Sequence, residues 1–359
     1  MIVDDLILEK CIGNGKRGEV YLTTKKGDNS NKYATKKIKK DNEKLKDINN
    51  EKEILKEIGN ENIIRIFEIK ENKQNYFIVK EYCNGLSLKD CLEQYKEKYG
   101  KPFSLEINQH IIRQVLECVN YIHRKYFIHR DLNMKNILVI FETEEDKNNI
   151  NMIKAKIKIN DFYKATRYTR SPHKTIIGSS SCPDPVTIDL LKNKDNAGYN
   201  ENFDIWSVGN IFYQILTGNH LIHAKNKQEL IKHYESGLYT LPININKETI
   251  FFITSMLRSD PYERTSAKDL LNHPFLVKNV KDFERINIIK LKDNIGKNGL
   301  NVNFLTNSIT YQVDAIKNND SNNLCSYNSQ DPIIVYNFNE NKNNSNNNYN
   351  NGEYIILYF

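Results

Sequence analysis

The chain is poor in the features that would tie it to disulfide, zinc or membrane chemistry. Its six cysteines, Cys11, Cys83, Cys91, Cys118, Cys182 and Cys325, are scattered over 359 residues with no C-x-x-C pair. Neither a zinc site nor a disulfide framework is indicated, and a reducing compartment fits best. The opening MIVDDLILEKCIG has acids among its apolar residues and lacks the basic start and apolar core of a secretory signal. No apolar run approaches the roughly 20 residues that span a bilayer. No repeat of fixed period and no nucleic-acid-binding motif is found. The net charge of +7 arises from 52 Lys and Arg interleaved with 45 Asp and Glu, which is the pattern of solvated faces rather than of a nucleic-acid footprint. The expectation is a soluble cytoplasmic protein, with the nucleus the other reducing compartment open to it.

What is present falls into three stretches. From residue 6 to about 82, short β-branched and aromatic runs surround one helix, with Leu45, Ile48, Leu55 and Ile58 at helical spacing. From about 86 to 276 the pattern is helical, and Ile107, Ile111, Val115, Val119 and Ile122 recur at spacings of four, four, four and three behind a start signal at Pro102 and Ser104. The fold class this predicts is α+β, a small mostly-β lobe followed by a larger mostly-α lobe. Residues 277–359 are expected to form a largely disordered tail, because ten of the fifteen residues from Asn337 to Asn351 are Asn and such a composition buries too little apolar surface to pack.

Several motifs carry chemistry. IGNGKRGEV, Ile12 to Val20, matches G-x-G-x-x-G-x-V through Gly13, Gly15 and Gly18, and glycines there let backbone N–H groups close over phosphates. Sixteen residues after Val20, Lys36 lies on a strand with Ala34 two positions before it; a lysine there is a point charge for phosphate oxygens. Glu51 is the acid best spaced to hold that lysine, with Glu53 its rival. The stretch FIHRDLNMKNILV is the most specific. In it Asp131 and, five residues on, Asn136 are spaced so that a carboxylate orients an attacking hydroxyl while an amide oxygen binds a metal bridging the phosphates. Asp161 of NDFY supplies the second metal ligand, and Asp204 opens the apolar helix NFDIWSVGNIFYQILTG.

In this order and at this spacing the motifs resemble the eukaryotic protein kinase family, over roughly residues 6–276. The serine/threonine branch is the closer, because Gly178-Ser179 resembles its activation-segment turn. CNGLSLKDCL and the insertion before Asp161 give a narrower likeness to the autophagy-initiating (Unc-51-like) kinases. The resemblance implies a bilobal kinase fold, ATP and Mg2+ as cofactors, and a protein substrate. It also implies a Lys36–Glu51 ion pair, Asp131 as catalytic base, and Asn136 and Asp161 as magnesium ligands. Ile12, Val20, Ala34 and Leu138 would enclose adenine, with the Glu81 carbonyl and the Cys83 amide bonded to its edge. Thr175, three residues before Gly178, would be an activating phosphorylation site read by Arg130.

The sequence departs from the family at four places. Asn133 stands where a lysine usually touches the transferred phosphate, and Lys135 is expected to substitute for it. Tyr163 replaces the glycine of D-F-G, at an expected strain of about 1–2 kcal/mol if the backbone there is left-handed. Asp184-Pro185-Val186 replaces A-P-E, which removes the glutamate that pairs with Arg264 and leaves Asp184 as a substitute. Lys80 occupies an adenine-pocket position that is usually apolar or threonine, its amine either escaping to water or pairing with a carboxylate. Every charged catalytic position is nonetheless filled. The expected function is therefore ATP-dependent protein serine/threonine kinase, with a nucleotide-binding pseudokinase acting as a scaffold the alternative.

Overall fold

The computed structural model describes residues 1–283 apart from 16, 170–171, 176–182, 193–197, 223, 225, 237 and 243–244, together with strands at 333–337 and 354–358. In the first lobe, strands β1 (Ile2–Val3), β2 (Leu6–Gly15), β3 (Gly18–Lys25) and β4 (Asp28–Lys39) precede helix α1 (Asn42–Glu57), and β5 (Ile66–Glu71) and β6 (Asn75–Glu81) follow it. They form one antiparallel sheet in the order β1-β2-β3-β4-β6-β5. Alternation along β6 divides its side chains between two faces. Phe77 and Val79 pack with Val3, Leu6 and Leu8, whereas Tyr76 and Ile78 pack with Ile38 and with Ile48 of α1.

The second lobe begins with α2 (Leu88–Tyr99) and α3 (Leu105–Arg124). It continues through β7 (Phe127–Ile128), β8 (Ile137–Ile140), α4 (Glu144–Asn149), β9 (Lys156–Ile159), β10 (Thr166–Arg167) and α5 (Pro185–Leu191). Then come α6 (Phe203–Thr217), α7 (Lys227–Ser236), β11 (Leu238–Pro242), α8 (Lys247–Met256), α9 (Ala267–Leu270) and α10 (Pro274–Val277). Ser104 caps α3 as its sequence suggests, its hydroxyl accepting from the Ile107 amide, and all five apolar residues of the α3 stripe are buried. Helix α6 is buried nearly all round, through Ile205, Trp206, Val208, Ile211, Phe212 and Ile215, which marks it as the central helix of the lobe. Among the described residues no helix is long and apolar enough to cross a membrane.

Two short strand pairs set the positions of the chemically interesting loops. The register Ile137↔Ile159 in β8–β9 and Ile128↔Thr166 in β7–β10 brings residues 129–136 alongside residues 160–165. The amide of Asn160 accordingly donates to the carbonyl of Asn136 at 2.8 Å. The linker between the lobes is fixed by Asn84, whose side chain donates to the Phe141 carbonyl at 2.8 Å and accepts from its amide at 3.0 Å. Gly85 passes so close to β8 that a Cβ there would lie 2.2 Å from the Val139 oxygen, so only glycine fits.

Two segments within the tail form strands. β12 (Ile333–Asn337) and β13 (Tyr354–Tyr358) flank the Asn-rich tract, and β13 pairs antiparallel with both β11 and β12. The two segments are where apolar and aromatic residues gather within the tail, so they retain the β-forming character that the Asn run lacks.

The replacement for the missing glutamate is Asp184. Its carboxylate takes both Nη1 and Nη2 of Arg264, the latter at 2.8 Å, and both side chains are buried. The remaining guanidinium donors go to the carbonyls of Arg258, Asn202 and Ser259, so all five are satisfied. Asp184 also accepts from the Val186 amide at 3.0 Å, which caps α5. Asp184→Asn is expected to destabilise the protein by about 2 kcal/mol, because a bidentate charge-assisted pair is lost while Arg264 stays buried. Arg264→Leu in the same chain should absorb most of that loss. Strictly additive denaturation free energies in the two single variants and the double variant would contradict the pairing.

Candidate active site

The phosphate-loop glycines differ in what requires them. Gly18 has φ +144° and a Cβ there would lie 2.1 Å from the Lys37 oxygen, so the fold demands glycine. At Gly13 and Gly15 a Cβ would meet nothing closer than 3.6 Å and 4.0 Å. Their bareness is not needed for packing, and it keeps side-chain bulk off the hairpin formed by β2 and β3, as close approach of a phosphate requires. Ile12 is 44% exposed, while Val20, Ala34 and Leu138 are half-buried, as the walls of an open slot are. Cys83, buried in the linker, has a backbone N–H for which no described residue provides an acceptor. The Glu81 side chain is engaged with Lys158 Nζ at 3.0 Å.

At the centre of the site the charges pair differently from the expected scheme. Glu51 does not pair with Lys36. Its Oε1 is held by Lys80 Nζ at 2.7 Å, and the two residues are 3% and 4% exposed. Lys80 Nζ also donates to Asn160 Oδ1 at 3.1 Å, and Glu51 accepts the Phe162 amide at 3.3 Å. Lys36 Nζ instead meets Asp161 Oδ1 at 2.6 Å. The reason is sheet register: Lys80 lies across from Ala34 and Lys36 across from Ile78, so a lysine at 80 enters the space beside α1 and takes the carboxylate there. Of the two readings of Lys80, the carboxylate pair is the one formed.

Burial alone would raise the Asp161 carboxyl, but Lys36 and Lys80 outweigh it and hold the group at about 2. Asp161 therefore presents a fixed anionic oxygen. Asn136 directs its amide nitrogen to the Asp131 carbonyl at 2.8 Å, which leaves its amide oxygen as a second hard donor. Two such hard oxygen donors suit Mg2+, which takes few protein ligands and completes its shell with phosphate and water.

Asp204, buried at the start of α6, organises the loop before Asp131. Its carboxylate accepts the His129 and Arg130 amides at 2.8 and 2.9 Å and binds His123 Nε2 at 3.0 Å. Burial opposes its ionisation, yet these partners keep its pKa below the usual carboxylate range. Arg130 and Asp161 both have left-handed backbones, φ 63° and 68°, a strain of the kind that gathers at functional sites. Asp131 is thereby presented with one oxygen bonded to Lys164 Nζ at 3.0 Å and the other to the Tyr163 hydroxyl and Asn136 Nδ2, each at 3.3 Å.

The model of the protein kinase domain matches residues 6–276 of this chain. The chain belongs to the protein kinase family. Among relatives, the probable serine/threonine-protein kinase MARK-A of Dictyostelium discoideum is 28% identical over 281 residues, covering 76% of this chain and 24% of that protein. Calcium-dependent protein kinase 4 of Plasmodium berghei is 32% identical over 295 residues, covering 80% and 50%. This chain thus spans between a quarter and a half of the length of these two kinases. Neither carries the Unc-51-like name.

Within the kinase frame, two expectations about the departures change. Tyr163 lies in a 3-10 turn, Phe162–Lys164, and is not among the residues with positive φ, so its replacement of glycine incurs no left-handed strain. Lys135 is exposed and its amide donates to Asn133 Oδ1 at 3.0 Å; among the described residues the cation bonded to Asp131 is Lys164. Gly178 and Ser179 lie outside the described residues. Sequence reasoning missed Lys164, although it directly follows D-F-Y, and it missed Arg17. The Arg17 guanidinium lies 3.4 Å over the Tyr163 ring and pairs with Asp47 at 2.8 Å, which ties the phosphate loop to the turn after Asp161. Arg17→Ala should speed amide exchange across residues 12–20 by roughly three- to thirtyfold, the equivalent of about 0.5–2 kcal/mol for a cation–π contact. Unchanged exchange there would rule out a tie of that strength.

Proposed function

We propose that the chain is an ATP- and magnesium-dependent protein serine/threonine kinase. The observation that carries this reading is the linkage of Lys36 to Asp161 at 2.6 Å, of Asn136 to Asp131 at 3.3 Å, and of the Asn160 amide to the Asn136 carbonyl at 2.8 Å, which gathers all four side chains at one place. The serine/threonine assignment draws on the names of the relatives. In the transfer, the substrate hydroxyl oxygen attacks the γ-phosphorus and the bond from that phosphorus to the β,γ-bridging oxygen breaks. The electron pair stays with ADP, and the hydroxyl proton passes to Asp131. Magnesium, when bound, offsets phosphate charge. Asp131 orients the hydroxyl, Lys36 offsets charge on the phosphates, and Asp161 and Asn136 would hold the metal; in such a site positioning and electrostatics supply most of the rate. Against a binding-only scaffold stands the retention of each of these groups in place. The test is incubation with γ-labelled ATP, magnesium and a peptide library containing Ser, Thr and Tyr. Label on Ser and Thr is expected; no label, or label confined to Tyr, would contradict the reading.

Thr175 is proposed as the activating phosphorylation site. It is exposed, its carbonyl accepts from the Tyr199 hydroxyl at 3.2 Å, and that hydroxyl accepts from Arg130 Nη1 at 3.3 Å. One tyrosine hydroxyl therefore separates the Thr175 backbone from Arg130. A phosphate adds about −1.5 to −2 charge and three acceptor oxygens, enough to take Arg130 from Tyr199 and order the segment. Thr175→Ala should lower turnover about tenfold. Active protein with Thr175 unmodified by mass spectrometry would overturn the proposal.

A further inference from the structure

Phosphoryl transfer to a hydroxyl held by Asp131 brings two anions together, the carboxylate and the γ-phosphate. As the hydroxyl attacks and its proton passes to Asp131, negative charge gathers on the attacking oxygen and the equatorial phosphate oxygens, so a cation beside both groups favours the transition state over the ground state. The catalytic loop does not supply that cation. Asn133 is neutral and its amide is committed to the Asp131 carbonyl at 2.9 Å, while Lys135 is exposed. The turn after Asp161 does supply one: Lys164 Nζ lies 3.0 Å from Asp131 Oδ1.

The base of this lysine is held from both sides. Its carbonyl accepts from Arg130 Nε at 2.7 Å, and the flanking carbonyls of Tyr163 and Ala165 accept from Asn50 Nδ2 of α1 at 3.1 and 2.9 Å. Burial works against its charge, but Asp131 outweighs burial and the ammonium stays protonated. An ammonium has three N–H donors; Asp131 takes one and the Tyr163 hydroxyl a second, which leaves one for a phosphate oxygen.

We propose that Lys164 is a catalytic residue of the phosphoryl transfer, its ammonium bridging Asp131 and the γ-phosphoryl group from a position in the sequence outside the catalytic loop. This rests on the kinase reading above. The step keeps the balance already given: the new O–P bond forms, the bond to the β,γ-bridging oxygen breaks, the hydroxyl proton goes to Asp131, and Lys164 gives up no proton. Its charge offsets that of the equatorial phosphate oxygens.

The test compares the wild-type chain, Lys164→Met, and Lys164→Met combined with Asn133→Lys. Each is checked for unchanged melting and measured for kcat, peptide KM, and the affinities of ATP and ADP by direct binding. Loss of one preorganised donor at the developing charge lowers kcat on the order of 100-fold. The expected results are that loss in Lys164→Met with peptide KM within about threefold, an ATP-to-ADP affinity ratio reduced about tenfold, and at least a tenfold recovery of kcat when lysine is supplied at 133. The Asn133 side chain bonds the main-chain carbonyl of Asp131 at 2.9 Å, so the longer side chain of a lysine there is placed to extend past it to the carboxylate of the same residue, a rescue that a purely structural role for Lys164 would not produce. Lys164→Met with kcat within threefold of wild type, or a double variant no faster than the single, overturns the proposal. The ATP-to-ADP ratio is read without turnover. An active wild type with an unchanged ratio removes the phosphate contact and leaves the kinase reading standing. A reduced ratio upholds the contact even with a wild type that transfers nothing.

Discussion

Lys80→Met is expected to destabilise the protein by about 3–5 kcal/mol, because removing one partner of a buried ion pair leaves the other charge uncompensated. Glu51 would retain only the Phe162 amide at 3.3 Å. At roughly 2–4 °C per kcal/mol for a chain of this size, the melting temperature should fall by about 6–20 °C. Amide exchange in α1 should rise, since Lys80–Glu51 joins that helix to the sheet. Lys36→Met should behave differently. Its carboxylate partner, Asp161, remains 3.9 Å from Lys80 Nζ, so the expected stability loss is about 1 kcal/mol, with α1 held in place while turnover falls about 100- to 1,000-fold. Lys80→Met combined with Glu51→Leu should recover most of the stability lost in Lys80→Met, because apolar replacement of a buried pair is often close to neutral. A Lys80→Met protein melting within 2 °C of wild type, with unchanged α1 exchange, would show that this pair does not anchor the helix.

The division of labour between Lys80 and Lys36 explains why the charge scheme could not be read from spacing. The α3 stripe from Ile107 to Ile122 was legible because helical periodicity is a local property, and so was the Ser104 cap. Asp184 was legible as the partner of Arg264 because the absence of a glutamate left a buried guanidinium needing an acceptor. Which lysine takes Glu51, in contrast, depends on the register between β4 and β6 and on how far each side chain reaches across the sheet. The backbone strain placed conditionally at Tyr163 belongs to its neighbour Asp161 and to Arg130, and no local signal in the sequence distinguishes these positions. Lys164 is not legible as a partner of Asp131 from spacing, because it is the β8–β9 and β7–β10 pairings that bring the turn after Asp161 onto Asp131. The tail strands escaped notice because Asn dominates the composition between two short apolar segments.

Phosphate transfer by Asp131→Asn, set against its nucleotide affinity, tests the central claim most directly. Asp131 is 8% exposed and its oxygens meet Lys164, Tyr163 and Asn136, whereas Lys36 meets Asp161, which in turn lies 3.9 Å from Lys80. Asparagine keeps the size of the side chain and removes the group that orients the hydroxyl and accepts its proton, a contribution of about 10²–10⁴-fold. The account predicts that transfer from γ-labelled ATP falls about 1,000-fold while the Kd for ATP stays within threefold of wild type. Equal transfer by wild type and Asp131→Asn would contradict it.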